Sequence, residues 1–255
     1  MIVRERDESQ LNKQIDDKGS IMYDTEMKLN HRIVQFVDAQ LHELLDTESV
    51  TESCADSGNQ AMHDAMVSIL TQYLSGLKAI NCLLNKGFVA QTRGIFQTLG
   101  DDYEDIIFLS LPCQDGQMTP LHHAYLKSVA GAEYHGCYSP ISRCEIRNMI
   151  KQAKNINHNV FQLYPKKQAL QVLRPHGGKP CSVEVAIDLH RHFAYKAILL
   201  AVLTAKVAGN LEVMGACLNF RAHLEMTDSR AVMFDLPSMP QPQTVRSEPR
   251  YAAVR

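Results

Sequence analysis

Residues 87–111 read GFVAQTRGIFQTLGDDYEDIIFLSL and set Arg93, Gln97, Asp101, Asp102 and Asp105 into what is otherwise one apolar helix. Polar groups in that setting must pair with one another or with a ligand, because desolvating them alone is unfavourable. At 3.6 residues per turn Arg93, Gln97, Asp101 and Asp105 stand four apart and form a slowly drifting row. Arg93 and Asp101 are too far apart to touch along one helix, but Gln97 bridges them in the row, and facing helices can supply partners. The row therefore predicts either a polar pocket for a small anionic, nucleotide-like ligand around Arg93 or an internal network that fixes helix register. The internal network is the preferred reading, since structural ion networks are common.

Working outward, the apolar spacing predicts an all-α protein, a bundle of six to seven helices. A first helix is expected from Met22 to Thr47 and a second from about Gln60 to Asn85, closed by Gly87. The third is the opening stretch. Pro120 suits the first turn of a fourth helix with Thr119 as its N-cap. Ser142 and Glu145 form a capping box that starts a fifth, expected to reach about Asn157. A short helix at about 165–173 is broken by Arg174-Pro-His-Gly-Gly-Lys-Pro180. Ser182 caps a long apolar helix to Ala208, and Gly209-Asn210 separates it from a last one ending near Glu225. Residues 1–20 are expected to be a flexible arm, 21–226 a single helical domain, and 227–255, with its four prolines, a disordered tail. No stretch alternates with period two, so no sheet is expected.

The chain has 255 residues, 45% hydrophobic and 21% charged, with a formal net charge of −2. That balance gives no global reason to bind nucleic acid or an anionic membrane. The distribution is uneven. The first sixty residues carry thirteen acids against six bases, whereas Ile141 to Pro180 holds eight Lys or Arg and one acid, Glu145. Within that basic stretch Arg143, Arg147, Lys151 and Lys154 make a stripe on the fifth helix that could follow an RNA backbone. A solvated helix face is its preferred reading. The seven cysteines include no CxxC and are odd in number, which suits reduced thiols and predicts a cytoplasmic protein. The start, MIVRERDESQ, has no apolar core of a secretory signal. The run Ala194 to Ala208 is too short and, with Lys196 and Lys206, too charged to cross a bilayer, so no membrane partner is expected. Its apolar character on nearly every face makes it either the bundle centre or the interface of a homodimer.

Recognisable chemistry is sparse. There is no G-x-S-x-G, and no cysteine stands in a catalytic context, so no catalytic residue is assigned. Asp101, Asp102, Glu104 and Asp105 could hold a divalent cation, but the chain lacks the Glu-x-x-His of carboxylate di-metal bundles. A solvated acidic face is preferred, and no metal or cofactor is expected. His190 and His192 are placed on a helix flank. His176, in a Gly-Gly turn before a helix N-terminus, is a candidate anion contact.

The pattern of a glycine-ended helix followed by apolar-Arg-x-x-apolar-x-x-x-acid resembles uncharacterised bacterial helical proteins related to the HEPN (higher eukaryotes and prokaryotes nucleotide-binding) superfamily. The resemblance spans about residues 60–208. In those families an Arg is followed four residues later by Glu, and a later His-Gly turn precedes a long apolar helix. The matching positions are Arg93, Gln97 and His176-Gly177, with Gln97 standing where the family has an acid. The ribonuclease members carry Arg followed after four to six residues by His, and no Arg in this chain is so followed. The resemblance therefore implies a non-enzymatic or catalytically degenerate protein of a bacterial defence or toxin–antitoxin system; the alternative, an RNA-binding or metal-independent RNA-cleaving protein, would use the basic face of Arg143, Arg147, Lys151 and Lys154.

Overall fold

The computed structural model describes residues 25–45, 57–112, 118–131, 141–153 and 182–227. They form seven helices and, among the described residues, no strand. These are α1 (25–45), α2 (Ser57–Asn85), α3 (Thr92–Ser110), α4 (Pro120–Gly131), α5 (Arg143–Gln152), α6 (Val183–Ala208) and α7 (Leu211–Thr227). The arm expected at 1–20, the short helix expected at 165–173 and all but the first residue of the tail expected from 227 lie outside the described residues. So does the last turn expected of α5, which stops at Gln152 with Ala153 already extended.

Local chemistry accounts for the helix ends. Ser142 Oγ accepts from the Glu145 N–H while Glu145 returns a carboxylate oxygen to the Ser142 N–H at 3.0 Å, so both halves of the capping box are made. Ser182 caps α6 through the Val185 N–H. Gly87 and Gly209 close α2 and α6 at φ +78° and +70°. At each the next residue donates back across the last turn: Phe88 to the Leu83 carbonyl at 2.9 Å, and Asn210 to that of Ala205 at 2.9 Å. Asn210 then turns its side-chain oxygen to the Val213 N–H at 3.0 Å and starts α7. One glycine and one asparagine thus end one helix and begin the next.

The core is a packed set of α2, α3 and α6, with α7 on the far side of α6 and α5 on the outside of α3. α3 turns back along α2, and Gly76 lets the two approach so closely that a Cβ there would meet Leu99 at 2.8 Å. The Tyr73 hydroxyl on α2 donates to the Phe193 carbonyl of α6 at 2.8 Å. Phe96 of α3 stacks on Phe193 with ring centres 5.6 Å apart. α1 joins through Phe36, stacked on Phe220 of α7 at 3.9 Å. Residues 194–205 of α6 are all buried inside the protomer, so the most apolar helix is the bundle centre. Asn59–Asn85 is long and apolar enough by length and composition to cross a membrane, but Met62, Met66, Leu70, Leu77 and Ile80 on it are fully buried against the other helices.

Two glycine substitutions should act in opposite directions. Gly209→Ala forces a side chain into the left-handed region and should lower stability by about 1 kcal/mol. Gly94→Ala, in a helical turn with open space around the added methyl, should raise it by roughly 0.5–1 kcal/mol. Denaturant unfolding of the two variants checks both signs.

Candidate functional site

The acids of α3 lead inward. Asp102, Glu104 and Asp105 are buried and Asp101 is half-buried, so the expected solvated acidic face is instead largely covered. The cover is α5. Arg143 reaches across to Asp105, its Nη2 donating to Oδ2 at 2.9 Å and its Nη1 to Oδ1, while Nη1 also meets the Asp101 carbonyl at 3.1 Å. Arg147 places Nε 2.8 and 2.9 Å from the two carboxylate oxygens of Glu104. Both arginines come within 4 Å of the Asp101 carboxylate, at 3.7 and 3.8 Å. Ile146 and Ile150, fully buried on the same helix, seat it on α3. The spacing of four that suggested a phosphate-binding stripe therefore serves a different end: it matches Arg143 and Arg147 to the carboxylates of a neighbouring helix. Lys151 of the stripe is exposed, and Lys154 lies outside the described residues.

The predicted polar row divides along its length. Arg93 is half-buried, Gln97 is exposed, and only towards Asp101 and Asp105 does the row enter the protein. The buried arginine contacts that α3 requires are made by Arg143 and Arg147, some forty residues away, and not through Gln97. His176 lies outside the described residues.

Behind the clasp are groups with no partner. The Asp102 Oδ2, the Tyr103 hydroxyl and the Lys196 amine are buried without a hydrogen bond among the described residues. Burial, with Asp105 and Asp101 adding like charge against the pull of Arg143, pushes the Asp102 carboxyl up to about 7. Lys196 is 2% exposed. Its Nζ lies 3.9 Å from the centre of the Tyr103 ring and 5.3 Å from that of Phe193. Burial drives the amine well below its ordinary value, against the opposing charge of Glu104. Burial also pushes the Asp105 carboxyl up, while Arg143 and a hydrogen bond from Tyr125 hold it back.

Two histidines do structural work inside the bundle. His190, expected on a helix flank, is fully buried. Its Nε2 is 3.1 Å from the Leu77 carbonyl and must donate there, so Nδ1 accepts the Asn30 amide at 3.2 Å. Burial holds this neutral ring down at about 4. His122 lies flat on Phe108, ring centres 4.2 Å apart. It donates to the Phe108 carbonyl at 3.0 Å and receives the Thr119 N–H on Nδ1, while the Thr119 carbonyl accepts the His123 N–H at 3.2 Å at the start of α4.

Elsewhere a cleft of about 450 Å³ opens between the end of α1 and the first turns of α2. Leu45, His63, Asp64 and Gln72 are among its walls, and it shares no residue with the polar centre. Among the described residues no three His, Cys, Asp or Glu side chains are grouped to hold a metal ion. Exposed Cys82 and Cys144 and buried Cys217 are free thiols. No protein-family model, curated protein or solved structure matches the chain.

Local sequence carried a signal for Lys196, which interrupts an apolar run in mid-helix. Asp102 and Glu104 were visible as part of the acidic cluster, but their burial was not.

Arg143→Ala strips the cation from a carboxylate that stays buried and should cost about 3–5 kcal/mol. Arg143→Lys should recover a part of this, because lysine lacks the planar fork. Thermal melts of the two variants rank them.

Asp102 and His190 give opposite pH dependences. Asp102 keeps its proton in the folded state up to about 7 against an ordinary 3.8, so the stability it contributes is complete below 3.8 and lost as pH rises to 7. His190 stays neutral down to about 4 against 6.5, so its contribution is complete above 6.5 and lost as pH falls to 4. Asp102→Asn removes the first effect alone. The stability of the variant should gain on the parent protein by up to about 1.4 kcal/mol per pH unit between pH 4 and 7. Urea unfolding across that range measures the difference.

Proposed function

We propose that the chain is a non-enzymatic or catalytically degenerate helical protein whose polar centre is an internal clasp rather than a reaction site. The observation that carries this reading is the state of Arg143 and Arg147. Both are already paired with carboxylates of the same protomer, so neither is set out to receive a phosphate. The resemblance to helical proteins of bacterial defence and toxin–antitoxin systems supports a role there, in the cytoplasm. The lack of an Arg and His at the spacing of the ribonucleases argues in the same direction.

The two alternatives have less support. RNA binding by the basic face would require α5 to abandon Asp105 and Glu104, exchanging short partly buried bonds for screened surface contacts. A small-anion pocket around Arg93 would have to form at a half-buried residue followed, one turn on, by exposed Gln97. A homodimer, expected from long apolar helices and oppositely charged ends, would have to use a surface other than residues 194–205, which are buried within one protomer.

Filter binding of single-stranded RNA tests the reading. No retention is expected at low salt, and no cleavage. Retention with a log–log salt slope of about −3, which four phosphate contacts on a single strand would give, would overturn it in favour of RNA binding.

A further inference from the structure

The cleft between the end of α1 and the first turns of α2 takes no part in the clasp, and its walls carry a chemistry of their own. Its volume of about 450 Å³ falls within the roughly 300–1,000 Å³ usual for small-molecule sites. Leu45, exposed at the end of α1, and Val67 of α2 give it apolar walls. Asp64 is the one carboxylate among the described walls, and no lysine or arginine stands with it. Beside it His63 is 8% exposed, and its Nε2 is buried without a hydrogen bond among the described residues. We propose that this cleft binds a small organic ammonium ion, its nitrogen held by the Asp64 carboxylate and met by the turning ring of His63, its apolar body lying on Leu45 and Val67.

Asp64 is already positioned for this. Gln60 donates to its Oδ1 at 2.8 Å, and His63 Nδ1 lies 3.6 Å from the same oxygen. That neighbour favours a hydrogen on Nδ1 and leaves Nε2 with a lone pair and no donor. In the free protein Nε2 is covered, so the ring must turn within the wall to present it. The turn gives an orphaned acceptor a partner, which offsets its cost. Ser68 and Gln72 are neutral, and Thr71 directs its hydroxyl to the Val67 carbonyl of its own helix at 2.8 Å. The cleft thus offers acceptors and one negative charge, and an ammonium brings the matching N–H donors and a positive one.

Other ligand classes fit less well. A carboxylate or phosphate would meet Asp64 with no cation among the described walls to receive it. The sequence that leads out of α1 and into α2 has the same sign, since Glu43 to Asp56 holds five acids and no Lys or Arg. Clustered charge of one sign raises the local concentration of a counter-ion and repels its opposite. A metal ion would need further ligands, and among the described residues no three such side chains are grouped. The Asp64 side chain is 54% exposed, so its attraction is screened by salt, and the apolar walls must supply part of the affinity.

An NMR titration of the full chain at neutral pH and low salt tests the site with phenethylammonium, 2-phenylethanol and 3-phenylpropionate, which share one apolar body and differ in charge. Phenethylammonium should give saturable amide shifts at Leu45 and residues 63–72 and should move the ring nitrogen resonances of His63. The uncharged alcohol should bind about tenfold more weakly for want of the charge-assisted contact, and the propionate should not bind. Asp64→Asn, which keeps the shape of the side chain and an acceptor for Gln60, should weaken the amine by about the same factor. No saturable shift with the amine, shifts confined to another part of the chain, or equal affinity for amine and alcohol would overturn the proposal. So would unchanged amine binding in Asp64→Asn, or His63 ring resonances that do not move.

Discussion

Asp105 can be buried on α3 as a carboxylate only with a cation beside it, and Arg143 is that cation. The rest of the polar centre follows from this one requirement. Removing a carboxylate from water is unfavourable by far more than a typical core contact returns, so the helix that carries the acid cannot pack until the helix that carries the arginine arrives. Arg147 and Glu104 repeat the arrangement, the arginine one turn further along α5 and the acid next to Asp105 on α3. Because the two arginines stand four apart on one face of α5, one seating of that helix on α3 satisfies both pairs. A shift by one residue would turn the arginines away and leave the acids alone. The clasp thus acts less as a source of stability than as a device that fixes which face of α5 meets α3.

The same requirement explains what lies behind. The two arginines of α5 engage Asp101, Glu104 and Asp105, and Asp102 keeps one oxygen without a bond. Its remaining way to avoid a buried charge is to hold a proton to about neutral pH. Lys196 faces the corresponding problem with the opposite sign, and its remedy is to give a proton up. A neutral acid and a neutral amine near the α3–α6 seam are what desolvation leaves when the available ion pairs have formed elsewhere. His190 belongs to the same logic on the other side of the bundle. There Asn30 and the Leu77 carbonyl satisfy a neutral ring, so burial costs it little while it remains uncharged.

How much of this was legible in the sequence depended on whether the signal was local. The glycine and asparagine at 209–210, the capping box at Ser142 and Glu145 and the cap at Ser182 each involve residues within a few positions of one another, and each appears where the sequence places it. The stretch 87–111 was legible as the polar centre of the fold because five polar side chains interrupted an apolar helix. Their partners were not. Arg143 and Asp105 are 38 residues apart, and nothing in the period of either helix states that α5 packs on α3. Read alone, the row on α5 is a basic stripe and the cluster on α3 is a solvated acidic face. Each is the other's counter-charge, and that fact exists only in three dimensions. Arg93 drew attention for the opposite reason, since it shares a helix with the acids and is joined to them by spacing rather than by packing.

The claim that matters most is that Arg143 and Asp105 act as a unit and not as two independently placed charges. A double-mutant cycle of Arg143→Ala and Asp105→Ala, followed by urea unfolding at pH 7.5, measures it. The pair should show a coupling of about 2–3 kcal/mol, the upper part of the range for contacting residues, with the double variant more stable than the two single losses would sum to. A coupling below about 0.5 kcal/mol, the level expected of residues that do not interact, would contradict it.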